Sequence, residues 1–309
     1  MSVLKKKEYS LLYSLPHCQA TDEIKEGCLV LEGGAFRGVY TSGVLDALML
    51  YNYNFRTTIG CSAGCLTGVC YVSGDIGRSG FLNLKFRHDS NYVGTKSLAK
   101  ERNVIGFDYM FFGEPDKEYP LNRKRLETTK REMYAAVTNV GNGETEYMEL
   151  HSFSLDDFFK VCQASSSMPF LSPMVKIKDS YYLDGGCSCK IPYRFAMDKG
   201  YLKIIVVRTR DSSFRKEKMP IQEKELIRVR YAKYKEFSKK LIDSNEEYNR
   251  ECDEIEELKK QGRIFVIEPS LPVDIERLEG NMEKLGDVYW RGYQDTIRLL
   301  PSLRKYLNK

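Results

Sequence analysis

The pentapeptide Gly60-Cys61-Ser62-Ala63-Gly64 constrains this chain more than any other feature. It follows the short apolar stretch 57–59 and precedes a small-residue run, 63–71, that suits a helix. Strand, sharp turn and helix in that order are what a nucleophile elbow requires. A serine at the tip of such a turn has strained backbone angles. Gly60 and Gly64 give it neighbours nearly free of side chain. The turn exposes the serine oxygen, and the helix behind it aims N–H groups and a positive dipole end at the site.

Two other segments add weight. The first is Leu29-Val30-Leu31-Glu32-Gly33-Gly34-Ala35-Phe36-Arg37-Gly38, an apolar strand running into a glycine turn. Beyond it Val44, Leu45, Leu48 and Met49 recur at helical spacing. Glycine-rich backbone that opens a helix is an anion-binding nest. A dinucleotide fingerprint would need glycine at position 35, which is Ala35. A phosphate-cradling Walker loop would need lysine after Gly38, where Val39 stands. What remains is a loop suited to a transient oxyanion. The second segment, Tyr181-Tyr182-Leu183-Asp184-Gly185-Gly186, ends an apolar strand on an aspartate followed by two glycines. Glycine permits close backbone approach, so that carboxylate can be pressed against a neighbouring loop.

Histidine separates the types of serine hydrolase, and there are three: His17, His88 and His151. A triad in the order Ser, acid, His leaves only His151, with Asp108 or Asp116 as the acid. Yet His151 opens His-Ser-Phe-Ser-Leu-Asp-Asp, in which Ser154 and Asp157 stand at capping-box spacing before an apolar run. It reads as a loop residue beside a helix start. His17 and His88 lie in polar, turn-like surroundings and read as solvated.

On these residues the chain resembles the patatin-like phospholipases, and most closely their bacterial branch. That family uses a glycine-rich oxyanion loop, a Gly-x-Ser-x-Gly elbow and an Asp-Gly-Gly or Asp-Gly-Ala motif, in that order. The block Ala164-Ser165-Ser166-Ser167-Met168-Pro169 is similar to the family's segment ahead of the aspartate. The resemblance implies a three-layer α/β/α fold with a mostly parallel central sheet. It implies a serine acyl hydrolase of the lipase or phospholipase A type, working through a dyad without histidine. Ser62 would be the nucleophile and Asp184 its base. Gly33, Gly34 and Ala35 would line the oxyanion hole, with Arg37 and Gly38 supporting the loop. Gly60 and Gly64 would shape the elbow, and Gly185 and Gly186 the turn after the aspartate. Ala35 is a departure, because the family usually has a third glycine there. Alanine keeps the N–H but is strained if the position needs positive φ.

Length and composition agree with that reading. The 309 residues fit one α/β domain with a C-terminal elaboration. We divide them into an irregular arm (1–27), a catalytic core (28–210), and a C-terminal helical region with one added strand (211–309). No apolar run is long enough to span a membrane. Lys5-Lys6-Lys7 has no uninterrupted apolar stretch after it, so no signal peptide is expected. Nine cysteines without CxxC pairs point to reduced thiols in a cytoplasmic protein. Cys61, Cys65 and Cys70 read as small packing residues. No cofactor, metal or nucleic-acid partner is expected, and the oligomeric state stays open.

The stretches 133–140 and 145–150 flank Gly141-Asn142-Gly143 and predict a hairpin. The stretch 155–165 predicts a helix, 203–208 a buried strand, 219–260 charged helix, 264–267 a strand and 273–307 a helix. In the last, Leu278, Leu285, Tyr289 and Tyr293 are core candidates. The aromatic run 107–112 reads as core, with an acyl-pocket wall as its functional alternative. Residues 215–240 carry ten Lys or Arg and four Glu, and 243–257 carry eight acids and Arg250. Two antiparallel helices pairing these charges are one reading. The other is a basic surface for anionic lipid headgroups, a peripheral membrane contact. Two rival functions remain at this point: a non-catalytic lipid- or protein-binding member of the fold, and a nucleotide-binding enzyme built on the 33–38 loop.

Overall fold

The computed structural model describes residues 8–309. Lys5-Lys6-Lys7 lies outside the described residues. Among the described residues ten strands form two sheets. Two short strands, β1 (Cys18–Gln19) and β4 (Asp75–Ile76), pair antiparallel. The other eight are β2 (Lys25–Leu31), β3 (Phe55–Cys61), β5 (Glu132–Asn139), β6 (Thr145–Glu149), β7 (Val175–Ile177), β8 (Ser180–Asp184), β9 (Ile204–Val207) and β10 (Phe265–Ile267). They are hydrogen-bonded in the order β10-β9-β2-β3-β5-β8-β7, with β6 also on β5. From β10 to β5 every pairing is parallel, and those of β5 with β6, β5 with β8 and β7 with β8 are antiparallel.

The parallel strands are apolar throughout because both faces are covered. In β2, Leu29 and Leu31 enter one core while Cys28 and Val30 enter another. The larger core draws on the helices Gly38–Leu50, Ala63–Ser73, Arg78–Phe86, Phe107–Phe112, Leu155–Ser165 and Met282–Leu307, among others. The smaller one lies under Tyr193–Asp198 and the long helix Lys235–Lys260, which contributes Tyr248, Cys252 and Ile255. The architecture is three-layer α/β/α with a mostly parallel sheet.

Strand β5 has two edges in use, and their division of labour places the site. Residues 134–136 pair with β3 on one side and with β6 on the other. Strand β6 continues along its edge to Thr138, so β8, which meets β5 at 137–139, must lie on the edge that β3 occupies. Strand β3 stops at Cys61 opposite Ala136, and β8, running the other way, stops at Asp184 opposite Val137. The two strands therefore meet head-on in one lane. Ser62 follows the end of β3, and Asp184 ends β8.

Some boundaries differ from the sequence reading. The charged stretch 219–260 is two helices, Ile221–Arg230 and Lys235–Lys260, broken around Tyr231. The last helix begins at Met282 rather than near 273; Leu278 lies in the irregular segment before it and packs against the larger core. Within 1–27, β1 is a short strand and β2 already starts at Lys25. The C-terminal helix lies backbone to backbone on Gly38–Leu50. A Cβ on Gly43 would sit 2.0 Å from the Tyr289 carbonyl, and one on Gly292 would sit 2.1 Å from that of Tyr40. Buried Asp46 accepts a 2.6 Å hydrogen bond from the Tyr289 hydroxyl across this contact. Among the described residues no helix is long and apolar enough to cross a membrane.

Candidate active site

Ser62 sits between β3 and the helix Ala63–Ser73 at φ +53° and ψ −123°, a conformation that side chains rarely adopt. The turn is tight enough to exclude larger neighbours. A Cβ on Gly60 would lie 2.6 Å from the Cys65 Cα, and one on Gly64 would lie 2.5 Å from the Leu31 carbonyl oxygen. The Ser62 N–H donates to the Ser165 hydroxyl at 3.0 Å, and that hydroxyl donates to the Ala136 carbonyl at 2.7 Å. Buried Ser165 thus ties the elbow to β5. The sequence singles out the block 164–169 but not this task for Ser165.

The Ser62 hydroxyl donates to Asp184 Oδ2 at 2.6 Å. The other carboxylate oxygen, Oδ1, accepts the Gly186 N–H at 2.7 Å. The Asp184 backbone is fixed at both ends, its N–H on the Ser167 carbonyl and its carbonyl on the Thr138 hydroxyl. Gly185 lets this turn press on β5, since a Cβ there would come 2.3 Å from the Ala136 carbonyl oxygen. Asp184 and Ser62 are both buried. Burial raises the Asp184 pKa above its ordinary 3.8; the Ser62 and Gly186 hydrogen bonds and the Lys190 and Arg277 charges oppose that rise.

The histidines are engaged elsewhere. His151 Nε2 lies 3.1 Å from the Leu126 carbonyl, and burial lowers its pKa. Ser154 caps the helix Leu155–Ser165 by accepting the Asp157 N–H. His17 stacks on Tyr119, and His88 meets the Gly280 carbonyl at 2.8 Å.

The glycine loop divides into holding and open positions. Gly33 departs from the expectation: its N–H donates to the Lys190 carbonyl at 3.1 Å, which removes it as a free donor. The Gly34 and Ala35 N–H groups have no hydrogen-bond partner among the described residues. Ala35 adopts φ +49°, so the alanine at this position bears the strain that glycine would avoid. Arg37 and Gly38 lead into the helix Gly38–Leu50.

An apolar cavity opens beside Ser62 and Ala35, walled chiefly by Leu66, Val69, Leu82, Val93, Met110 and Phe111. Met110 and Phe111 belong to the aromatic run, which is therefore core and cavity wall at once. Cys61 lies beside Ser62 but is buried, its thiol donating to the Cys189 carbonyl at 3.3 Å.

Comparison with known proteins bears on this site. The sequence profile described as patatin-like phospholipase matches residues 29–197, more than half of the chain. A domain of unknown function, DUF6363, matches residues 227–308. An uncharacterized protein of Escherichia coli (strain K12), YjjU, is 26% identical over 186 residues, 59% of this chain and 51% of that protein. The chain thus spans about half the length of that relative. The crystal structure of VipD from Legionella pneumophila aligns with a TM-score of 0.49 at 14% identity, covering 98% of this chain and 72% of that one.

Burial of Asp184 has a consequence for stability. Because its folded pKa is raised, the folded state holds the proton more tightly than the unfolded chain. The carboxylate's stability cost therefore sets in as pH rises above 3.8 and grows until the pH passes the raised folded-state pKa. Asp184→Asn is expected to unfold at higher denaturant than wild type at pH 7, with the gap shrinking as pH falls toward 4. An equal gap at both pH values would contradict this.

Proposed function

We propose that this chain, which belongs to the patatin-like phospholipase family, is a serine acyl hydrolase that cleaves carboxylic esters of lipids with a Ser62–Asp184 dyad. The observation that carries the reading is the 2.6 Å hydrogen bond from Ser62 to a buried, otherwise well-anchored carboxylate at the mouth of an apolar cavity. As the Ser62 oxygen attacks the ester carbonyl, its proton passes to Asp184 Oδ2. A carboxylate with a raised pKa is better matched to accept that proton. The Gly34 and Ala35 N–H groups take the developing oxyanion, and Gly33 holds the loop against Lys190. Each such donor is worth roughly 3–4 kcal/mol of transition-state stabilisation. The acyl chain lies in the apolar cavity. The alcohol leaves with the proton from Asp184, and Asp184 then activates the water that releases the acyl group.

The site residues act as one unit, so single losses are not additive. Ser62→Ala and Asp184→Asn are each expected to cut hydrolysis of a phospholipid and acylglycerol panel by about 10³-fold or more, and the double variant to be hardly worse. Replacing His17, His88 and His151 together leaves most activity. Loss of turnover in a folded His151→Ala protein would overturn the dyad.

The lipid interface is part of the same proposal. The helix Ile221–Arg230 exposes Ile221 (75%), Leu226 (56%) and Val229 (76%) beside Lys224 and Arg230. Apolar side chains flanked by cations suit peripheral contact with an anionic bilayer, where each Lys or Arg contributes about 1 kcal/mol. Co-sedimentation with anionic vesicles is expected to exceed that with neutral ones. It should fall several-fold when Ile221, Leu226 and Val229 become Ser. Unchanged binding of that variant would remove this helix from the interface.

A further inference from the structure

The apolar cavity beside Ser62 has a floor, and the floor is ionic. Along the helix Ala63–Ser73 the lining runs from Ala63 and Leu66 through Val69 to Cys70, and no later residue of that helix takes part. Exposure falls in the same direction. Ala63 and Leu66 are half-buried, whereas Val69 and Cys70 are buried. The mouth is therefore at the nucleophile and the bottom at Cys70. Ala63 and Cys70 stand two helical turns apart, about 10 Å. A saturated chain with bonds of ~1.52 Å and angles of ~111° advances about 1.25 Å per carbon, so about eight carbons fill that depth.

Beneath Cys70 lies Arg78, which is buried and, among the described residues, is the one charged side chain in the lining. All three of its nitrogens are engaged. Nε donates to the Tyr119 carbonyl at 2.8 Å, Nη2 to Asp116 Oδ1 at 2.9 Å and Nη1 to the Cys70 sulfur at 3.5 Å. Asp116 Oδ2 accepts from Arg123 Nη1 at 2.7 Å, and Arg123 Nη2 donates to the Phe111 carbonyl. The Phe111 ring walls the cavity and packs on Phe159, with 4.6 Å between ring centres. Next to Arg78 the Ser79 hydroxyl meets that of Ser42 at 2.9 Å, and the Tyr92 hydroxyl donates to Asn83 Oδ1 at 3.3 Å. The polar groups at this end thus bond to one another. A methyl end pushed past Cys70 would strip hydrogen bonds from a buried guanidinium, which costs more than burying another methylene returns.

We propose that Arg78, held in place by Asp116, Cys70 and the Tyr119 carbonyl, is the end-stop of the acyl pocket. It makes the chain selective for esters of medium-chain fatty acids, about eight to ten carbons long. The inference rests on the hydrolase reading above and names the acyl group that this site prefers.

The test pairs hydrolysis with binding. Wild type is assayed on methylumbelliferyl esters of butanoic, octanoic and tetradecanoic acid, each below the concentration at which it aggregates. kcat/KM is expected to be highest for the octanoyl ester and at least about tenfold lower for the tetradecanoyl ester. Arg78→Ala, in which Asp116 keeps Arg123, removes the stop and should raise the tetradecanoyl ester about tenfold relative to the octanoyl. Val69→Phe fills the pocket halfway and should move the optimum to the butanoyl ester; it decides the matter if Arg78→Ala does not fold. Binding of the free fatty acids to Ser62→Ala protein is measured by calorimetry. Affinity should rise about fourfold per methylene up to about ten carbons and then level off. A wild type that prefers the tetradecanoyl ester, or a folded Arg78→Ala protein with the wild-type length profile, overturns the proposal. So does affinity that goes on rising to tetradecanoic acid, even where the esters are hydrolysed. A wild type that hydrolyses none of the esters while binding still levels off near ten carbons would sink the hydrolase reading and leave the length limit standing.

Discussion

The site depends on one constraint: two strands share a single edge of β5 and run into each other. Strand β3 ends opposite Ala136 and β8 ends opposite Val137, so the residues at their tips have nowhere to go but toward each other. A serine after one and an aspartate ending the other then meet at 2.6 Å without a third residue to relay between them. Four surrounding features serve this encounter. Gly185 lets the aspartate turn touch β5, Thr138 and Ser167 fix its backbone, and Ser165 ties the serine's backbone to Ala136.

Such a site is held at some cost. Ser62 and Ala35 both take positive φ, each a strain on the order of 1–3 kcal/mol, and the Asp184 carboxylate is buried. Tertiary structure over-determines these conformations. The sheet lies between helices on both faces, and the C-terminal helix clamps the helix that follows the glycine loop through Gly43, Gly292 and the Asp46–Tyr289 hydrogen bond. In the proposed mechanism, that rigidity keeps the Gly34 and Ala35 N–H groups aimed at one place while charge develops there.

Much of this was legible because it is local. The elbow, the glycine loop and the strand-end aspartate each carry their geometry in a few adjacent residues, and the capping box at Ser154 is likewise local. The apolar runs of β2 and β9 gave away a sheet covered on both faces. What was not legible depends on distant partners. That Gly33 rather than Gly34 is tied down follows from where Lys190 comes to rest. The task of Ser165 needs Ala136 opposite Ser62. The break at Tyr231 was hidden by uniformly charged, helix-favouring sequence, while buried Tyr231 and Phe237 stack edge-on where the chain turns.

The central claim is that Ser62 is a nucleophile activated by Asp184 alone. It is tested most directly by reacting the protein with a fluorophosphonate, digesting it, and locating the adduct by peptide mass spectrometry. The account predicts a single adduct on the Ser62 peptide, formed orders of magnitude more slowly in Asp184→Asn. Labelling of another residue, or an undiminished rate at Ser62 in Asp184→Asn, would contradict it.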